Sequence, residues 1–141
     1  MTDPHENVTK QPICSVRSVR KSFGSHSVLN GIDFAVDAGD QVALMGPSGS
    51  GKSTLLNCLS GIDLPDQGSI TIDGTEITTA SPSALAELRR GTVSTVFQFF
   101  HLLPTLTAFE NIELSLQLKG MPPKQRTGRV KELLDAVQLS S

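Results

Sequence analysis

Gly46-Pro47-Ser48-Gly49-Ser50-Gly51-Lys52-Ser53-Thr54 fits G-x-x-x-x-G-K-[ST], the phosphate-binding P-loop. Gly46 and Gly51 admit backbone angles that a side chain would block. A loop of this kind curls so that its N–H groups converge on one anion. Lys52 offers a point charge to the outer phosphates of a nucleotide. The Ser53 hydroxyl suits the Mg2+ that travels with them. Just before the loop, Gln41-Val42-Ala43-Leu44-Met45 predicts a buried strand. Just after it, Ser53 to Ser60 predicts a helix with Leu55, Leu56 and Leu59 on its apolar side. Gly61 stands at that helix's C-terminal stop. Strand, glycine loop and helix place a helix N-terminus, with its partial positive charge, at the phosphates.

Further out, the pattern is β-rich on the N-terminal side. Ile13 to Phe23 predicts a strand, and Phe23-Gly24-Ser25 a turn. Val28 to Val36 predicts a second strand, because Ile32, Phe34 and Val36 alternate with other residues. Asp37-Ala38-Gly39-Asp40 is a turn that feeds the P-loop strand. On the C-terminal side, residues 63–68 read as a polar loop. Ser69-Ile70-Thr71-Ile72 reads as a short strand that ends in the Asp73-Gly74 turn. Ser83 to Arg90 predicts a short helix that closes on two arginines and Gly91. Thr92 to Phe97 predicts a buried strand with Gln98 at its C-terminal end. Thr107-Ala108-Phe109-Glu110 is a capping box that opens a helix to about Leu118. Gly120 and Pro122-Pro123 break it. A last helix is predicted from about Lys124 to Leu139, with Val130, Leu133, Leu134 and Val137 in one apolar stripe.

The 141 residues suffice for one domain with a core. A net charge of −2 provides no basic field for nucleic acid. Cys14 and Cys58 are expected as reduced thiols, as in a cytosolic protein. No window reaches the roughly 18 apolar residues of a membrane span, and Met1 to Gln11 carries no apolar signal region.

In this order the residues resemble the nucleotide-binding subunit of an ABC transporter. The resemblance rests on Val28-Leu29-Asn30-Gly31-Ile32 before the P-loop and on Ser53-Thr54-Leu55-Leu56-Asn57 with Leu59-Ser60-Gly61 after it. Pro65-Asp66-Gln67-Gly68 and Asp73-Gly74 look like the family's antiparallel β region. Val96-Phe97-Gln98, then Leu102 to Thr107 and Glu110-Asn111, look like its Q-loop and the start of its helical subdomain. The closest likeness is to the group serving lipoprotein release, macrolide export and cell-division complexes. The fold implied is α/β: a P-loop NTPase core with an antiparallel β region and the start of a helical subdomain, incomplete. Residues 1–11 are expected as a flexible tail, 12–97 as the nucleotide-binding core, and 98–141 as the Q-loop and first part of the helical subdomain.

The resemblance implies ATP and Mg2+ as ligands, held by Gly46, Pro47, Ser48, Gly49, Ser50, Gly51, Lys52, Ser53 and Thr54. Ser53 and Gln98 take the metal positions, and Gln98 also faces the attacking water, which suits an amide that both donates and accepts. Phe23 stands where the family stacks an aromatic ring on adenine; the other reading is a core phenylalanine at a strand end. Phe99, Phe100, Leu102 and Leu103 stand where the family meets its membrane subunits; the other reading is packing inside the helical lobe. Integral membrane permease subunits and a second nucleotide-binding subunit are the implied partners. They would hold the chain peripherally on the cytoplasmic face of the plasma membrane.

Three family features find no match: the LSGGQ signature, the Walker B run of four apolar residues followed by Asp and Glu, and the switch histidine. Leu59-Ser60-Gly61 is followed by Ile62. Ile70-Thr71-Ile72-Asp73-Gly74 has Thr71 in the apolar run and no Glu. His5, His26 and His101 all precede the switch position and are expected on the surface or in loops. The chain is therefore expected to be the N-terminal portion of such an ATPase. The alternative is a truncated, non-hydrolysing nucleotide-binding fragment without a transport role.

Overall fold

The computed structural model describes residues 11–139, so the expected tail lies outside the described residues apart from Gln11. The chain divides into two compact units, Met1–Val93 and Ser94–Ser141. The expected boundary after residue 97 therefore falls inside the second unit.

The first unit holds β1 (Cys14–Phe23), β2 (His26–Val36), α1 (Lys52–Leu59), β3 (Gln67–Ile72), β4 (Thr75–Glu76) and α2 (Pro82–Gly91). The four strands form one antiparallel sheet in the order β2-β1-β3-β4. Its core is aliphatic: Val16, Val19, Leu29, Ile70 and Ile72 from the sheet, Leu55 and Cys58 from α1, Leu85 and Leu88 from α2. Burying each such side chain is worth about 1.5–3 kcal/mol, and that fastens two short helices that would not form alone. Burial also pushes the Cys58 thiol above its ordinary range, so it serves as a small apolar residue.

Local chemistry sets most of the boundaries. Asp73 and Gly74 both take positive φ, 48° and 73°, as a tight two-residue hairpin turn requires, and they join β3 to β4. In β1 the ladder shifts register on both sides between Val16 and Arg20. Ser18 sits there at φ 49°, and its N–H donates to Asp33 Oδ1 at 2.8 Å. The resulting bulge twists β1 and returns Val19 to the core. α1 ends as Gly61 predicts. The N–H groups of Gly61 and Ile62 donate to the carbonyls of Cys58 and Asn57 at 3.1 and 3.0 Å, with Gly61 at φ 62°, a Schellman stop.

Two expected strands are absent. Residues 41–45 and 92–97 form no strand, and their side chains are largely open to solvent: Val42 is 60% exposed, Met45 89% and Val96 98%. Both have β-compatible sequences. A strand nevertheless needs a neighbour to take its N–H and C=O groups, and the ladders among the described residues pair only β1 with β2, β1 with β3 and β3 with β4. Leu56, expected on the apolar side of α1, also stays half exposed, whereas Leu55 is buried.

The second unit is a helical pair, α3 (Ala108–Leu118) and α4 (Pro123–Ala136). The capping box is formed in full. Thr107 N–H donates to Glu110 Oε2 at 2.7 Å, and Glu110 N–H to Thr107 Oγ1 at 3.2 Å. The Thr107 N–H and the Thr107 hydroxyl, both donating to Oε2, hold the Glu110 carboxyl below the usual range. Asn111 fastens the preceding loop. Its amide donates to the carbonyls of Leu103, Leu106 and Thr107, and its oxygen accepts the Leu103 N–H at 2.8 Å. α4 stops three residues before the expected Leu139. Gln138 turns to φ 59°, the Leu139 N–H returns to Leu134 O at 2.9 Å, and Val137 is left exposed. Val130 fills the pair's centre, with Leu133 and Leu134 half-buried.

Candidate functional site

The P-loop is built on α1. Gly51 is the N-cap residue, at φ 87°. A Cβ there would meet Val28 O at 3.0 Å and the Val28 and Leu29 side chains at 3.1 Å. Both the angle and the closeness demand glycine, and together they seat the start of α1 directly on β2. The first turn of α1 carries no acidic residue, and no side chain caps it. Its leading N–H groups are thus available to an anion, with the helix dipole behind them.

The loop closes on its own lysine. Lys52 Nζ donates to Gly46 O at 2.8 Å, to Pro47 O at 2.7 Å and to Ser50 Oγ at 3.3 Å. Ser50 N–H reaches Pro47 O at 3.3 Å, which turns the backbone at Ser48 and Gly49. The ammonium therefore sits across the mouth of the loop, and its partners among the described residues are all neutral. Phosphate oxygens would replace those acceptors with charge-assisted ones. Ser53 is exposed and Thr54 half-buried in the first turn of α1. A hydroxyl beside the phosphate cradle is the donor type that Mg2+ takes.

Phe23 belongs to the same end of the first unit. It pairs with His26, and Lys21 pairs with Leu29, the residue against which Gly51 packs. Phe23 is 53% exposed, so its ring is not core and has a free face. Val19, Lys21 and Phe23 alternate along β1 and share a face. Lys21 is the one residue of this neighbourhood that sequence reasoning missed. Its Nζ lies 3.0 Å from Asp63 Oδ1, 3.5 Å from Asp66 Oδ1 and 2.7 Å from Leu64 O, and 5.4 Å from the centre of the Phe23 ring. The hydrogen bond to Asp63 leads in raising its pKa above the ordinary lysine value. A lysine two residues before a candidate base platform, with two acids in the loop after the P-loop helix, was the available signal.

Gln98 belongs to the second unit and is exposed. The rings of Phe97 and His101 pack 4.3 Å apart. His101, at φ 47°, places Nδ1 2.8 Å from Phe99 O. A tight turn results, with Gln98, Phe99 and Phe100 at its tip. Phe99 and Phe100 are exposed, as are Leu102 and Leu103, so these four do not form the interior of their lobe. Among the described residues no acidic, histidine or cysteine cluster has the arrangement of a metal site.

The glycine loop of residues 46–51, with Lys52 closing it at the N-terminus of α1, matches the P-loop pattern of nucleotide-binding proteins. The ABC transporter family profile matches residues 29–141, and the chain belongs to that family. It is 45% identical over 132 residues to the methionine import ATP-binding protein MetN of Brucella abortus (strain 2308), covering 94% of this chain and 36% of that protein. It is 41% identical over 124 residues to the lipoprotein-releasing system ATP-binding protein LolD of Bacteroides fragilis (strain YCH46), covering 88% of this chain and 57% of that one. Among solved structures it resembles the dimeric ATP-binding cassette MJ0796 in a post-hydrolysis state bound to ADP and Pi, at TM-score 0.82 and 35% identity over 91% of this chain and 58% of that one. The chain thus spans about a third to three-fifths of the length of these relatives. No described helix is long and apolar enough to cross a membrane.

Proposed function

We propose that this chain is the ATP-binding component of an ABC-type transporter, binding Mg-ATP through Gly46 to Thr54 to drive export or lipoprotein release. The observation that carries the reading is the Lys52 ammonium poised on the carbonyls of Gly46 and Pro47, above the uncapped N-terminus of α1. In this reading Lys52 transfers to the β- and γ-phosphates, and Ser53 and Gln98 provide oxygens to the metal. Phe23 offers its free face to adenine. Partners of this class are membrane permease subunits and a second nucleotide-binding subunit, which would hold the chain at the inner face of the membrane. The named relatives include an importer and a lipoprotein-release protein.

Titration of a fluorescent ATP analogue with Mg2+ tests the binding step. Lys52→Ala removes charge-assisted bonds worth about 1.5–3 kcal/mol, or roughly 10- to 150-fold in affinity. Equal affinities for the two proteins would sink the reading.

A further inference from the structure

Lys21 belongs neither to the P-loop nor to the base platform, yet it touches the latter and is tied to the former's helix. Its side chain is only 11% exposed, while the next residue on the same strand face, Phe23, is half open. Among the described residues the ammonium has three oxygen partners, all in the loop that follows α1: Asp63, Leu64 and Asp66. That loop is itself fixed at both ends. Asp63 N–H returns to Asn57 O in α1 at 3.2 Å. Asp66 accepts the Ser22 N–H at 2.7 Å, and its own N–H donates to Arg20 O at 2.9 Å. A continuous set of bonds thus joins the P-loop helix to Arg20, Lys21 and Ser22 of β1, with the Lys21 charge against the Phe23 ring. A cation held against a ring fixes the ring's position and draws on its π-density, and both act on whatever stacks on the free face.

We infer that Lys21 is a positioning residue for purine binding. Held by Asp63 and Asp66, it sets the Phe23 ring at a fixed place relative to the P-loop helix, so that base and phosphates are gripped together. The inference rests on the reading of Phe23 as the base platform. Lys21 itself touches no nucleotide atom.

The test is calorimetric titration of the full chain with Mg-ATP and, separately, with Mg-tripolyphosphate, which has no base. The proteins are wild type, Lys21→Met, Lys21→Arg, Phe23→Ala and the double variant Lys21→Met/Phe23→Ala. Lys21→Met is expected to weaken ATP about 2- to 10-fold while tripolyphosphate affinity stays at the wild-type value. Lys21→Arg, which keeps a cation against the ring, is expected to restore most of the loss. In the Phe23→Ala background Lys21→Met is expected to add nothing, since its effect passes through the ring. Unchanged ATP affinity in Lys21→Met, additive losses, or equal losses for both ligands would each overturn the inference, the last by showing general support of the fold. The platform reading fails separately, if Phe23→Ala alone weakens both ligands alike.

Discussion

Gly51→Ala is the substitution that most directly tests how the phosphate cradle is anchored. Two effects act at this site. The residue sits at φ 87°, where a Cβ crowds the backbone at a cost of about 1–2 kcal/mol. The new methyl would also stand 3.0 Å from Val28 O and 3.1 Å from the Leu29 and Val28 side chains. Val28 O is main chain, and Leu29 is buried in the core, so neither can yield without moving β2. Overpacking of that kind costs about 1–3 kcal/mol. Loss of unfolded-state entropy returns about 0.4–1 kcal/mol. The expected net destabilisation is about 1–5 kcal/mol. Gly49→Ala is the matched control: it has a similar φ of 81° but nothing within 4 Å of its Cβ, so only the backbone cost applies. Urea unfolding of both variants, followed by far-ultraviolet circular dichroism, measures the difference. Gly51→Ala is expected to lose about 1–3 kcal/mol more than Gly49→Ala, and its Mg-ATP affinity is expected to fall as well, because α1 is displaced from β2. Equal midpoints for the two variants would refute the seating of the P-loop on Val28 and Leu29.

Two further outcomes are expected. The Glu110 carboxylate, stabilised by the Thr107 N–H and hydroxyl, has a lowered folded pKa. Its contribution is therefore complete above the ordinary glutamate value of about 4.3 and is lost as pH falls through the depressed folded value. Acid fraying of α3, read as the loss of amide protection at residues 108–111 relative to the free-chain exchange rate at each pH, should set in over that window in wild type. In Glu110→Gln it should be nearly independent of pH; identical profiles would remove the capping box from the account. Mg2+-dependent phosphate release by this chain is expected at the background of Lys52→Ala. No run of four apolar residues followed by Asp and Glu occurs in it, and each contributor of that kind is commonly worth about 100- to 1000-fold in rate. Turnover above that background would reveal a base and a metal ligand not recognised in the sequence.

The features legible in the sequence act over a few residues. The glycine loop and its lysine, the Gly61 stop of α1, the Asp73-Gly74 turn and the Thr107–Glu110 box are all closed by bonds between near neighbours. Residue types at fixed spacings therefore determine them. The expected strands at 41–45 and 92–97 do not form for the complementary reason: an apolar, β-branched run states a preference, but pairing depends on a partner from elsewhere in the chain. The anchoring of Gly51 on Val28 and Leu29, the Ser18 bulge and the Lys21 cluster likewise belong to the tertiary structure. Lys21 and Asp63 are 42 positions apart, and only the sheet that brings β1 alongside the loop after α1 makes them a pair. Thus the sequence by itself determined what the loop can hold, through residue chemistry at short range. Where that loop sits, and which acids and ring the Lys21 cation meets, only the packing of α1 and its following loop on the β1–β2 ladder decided.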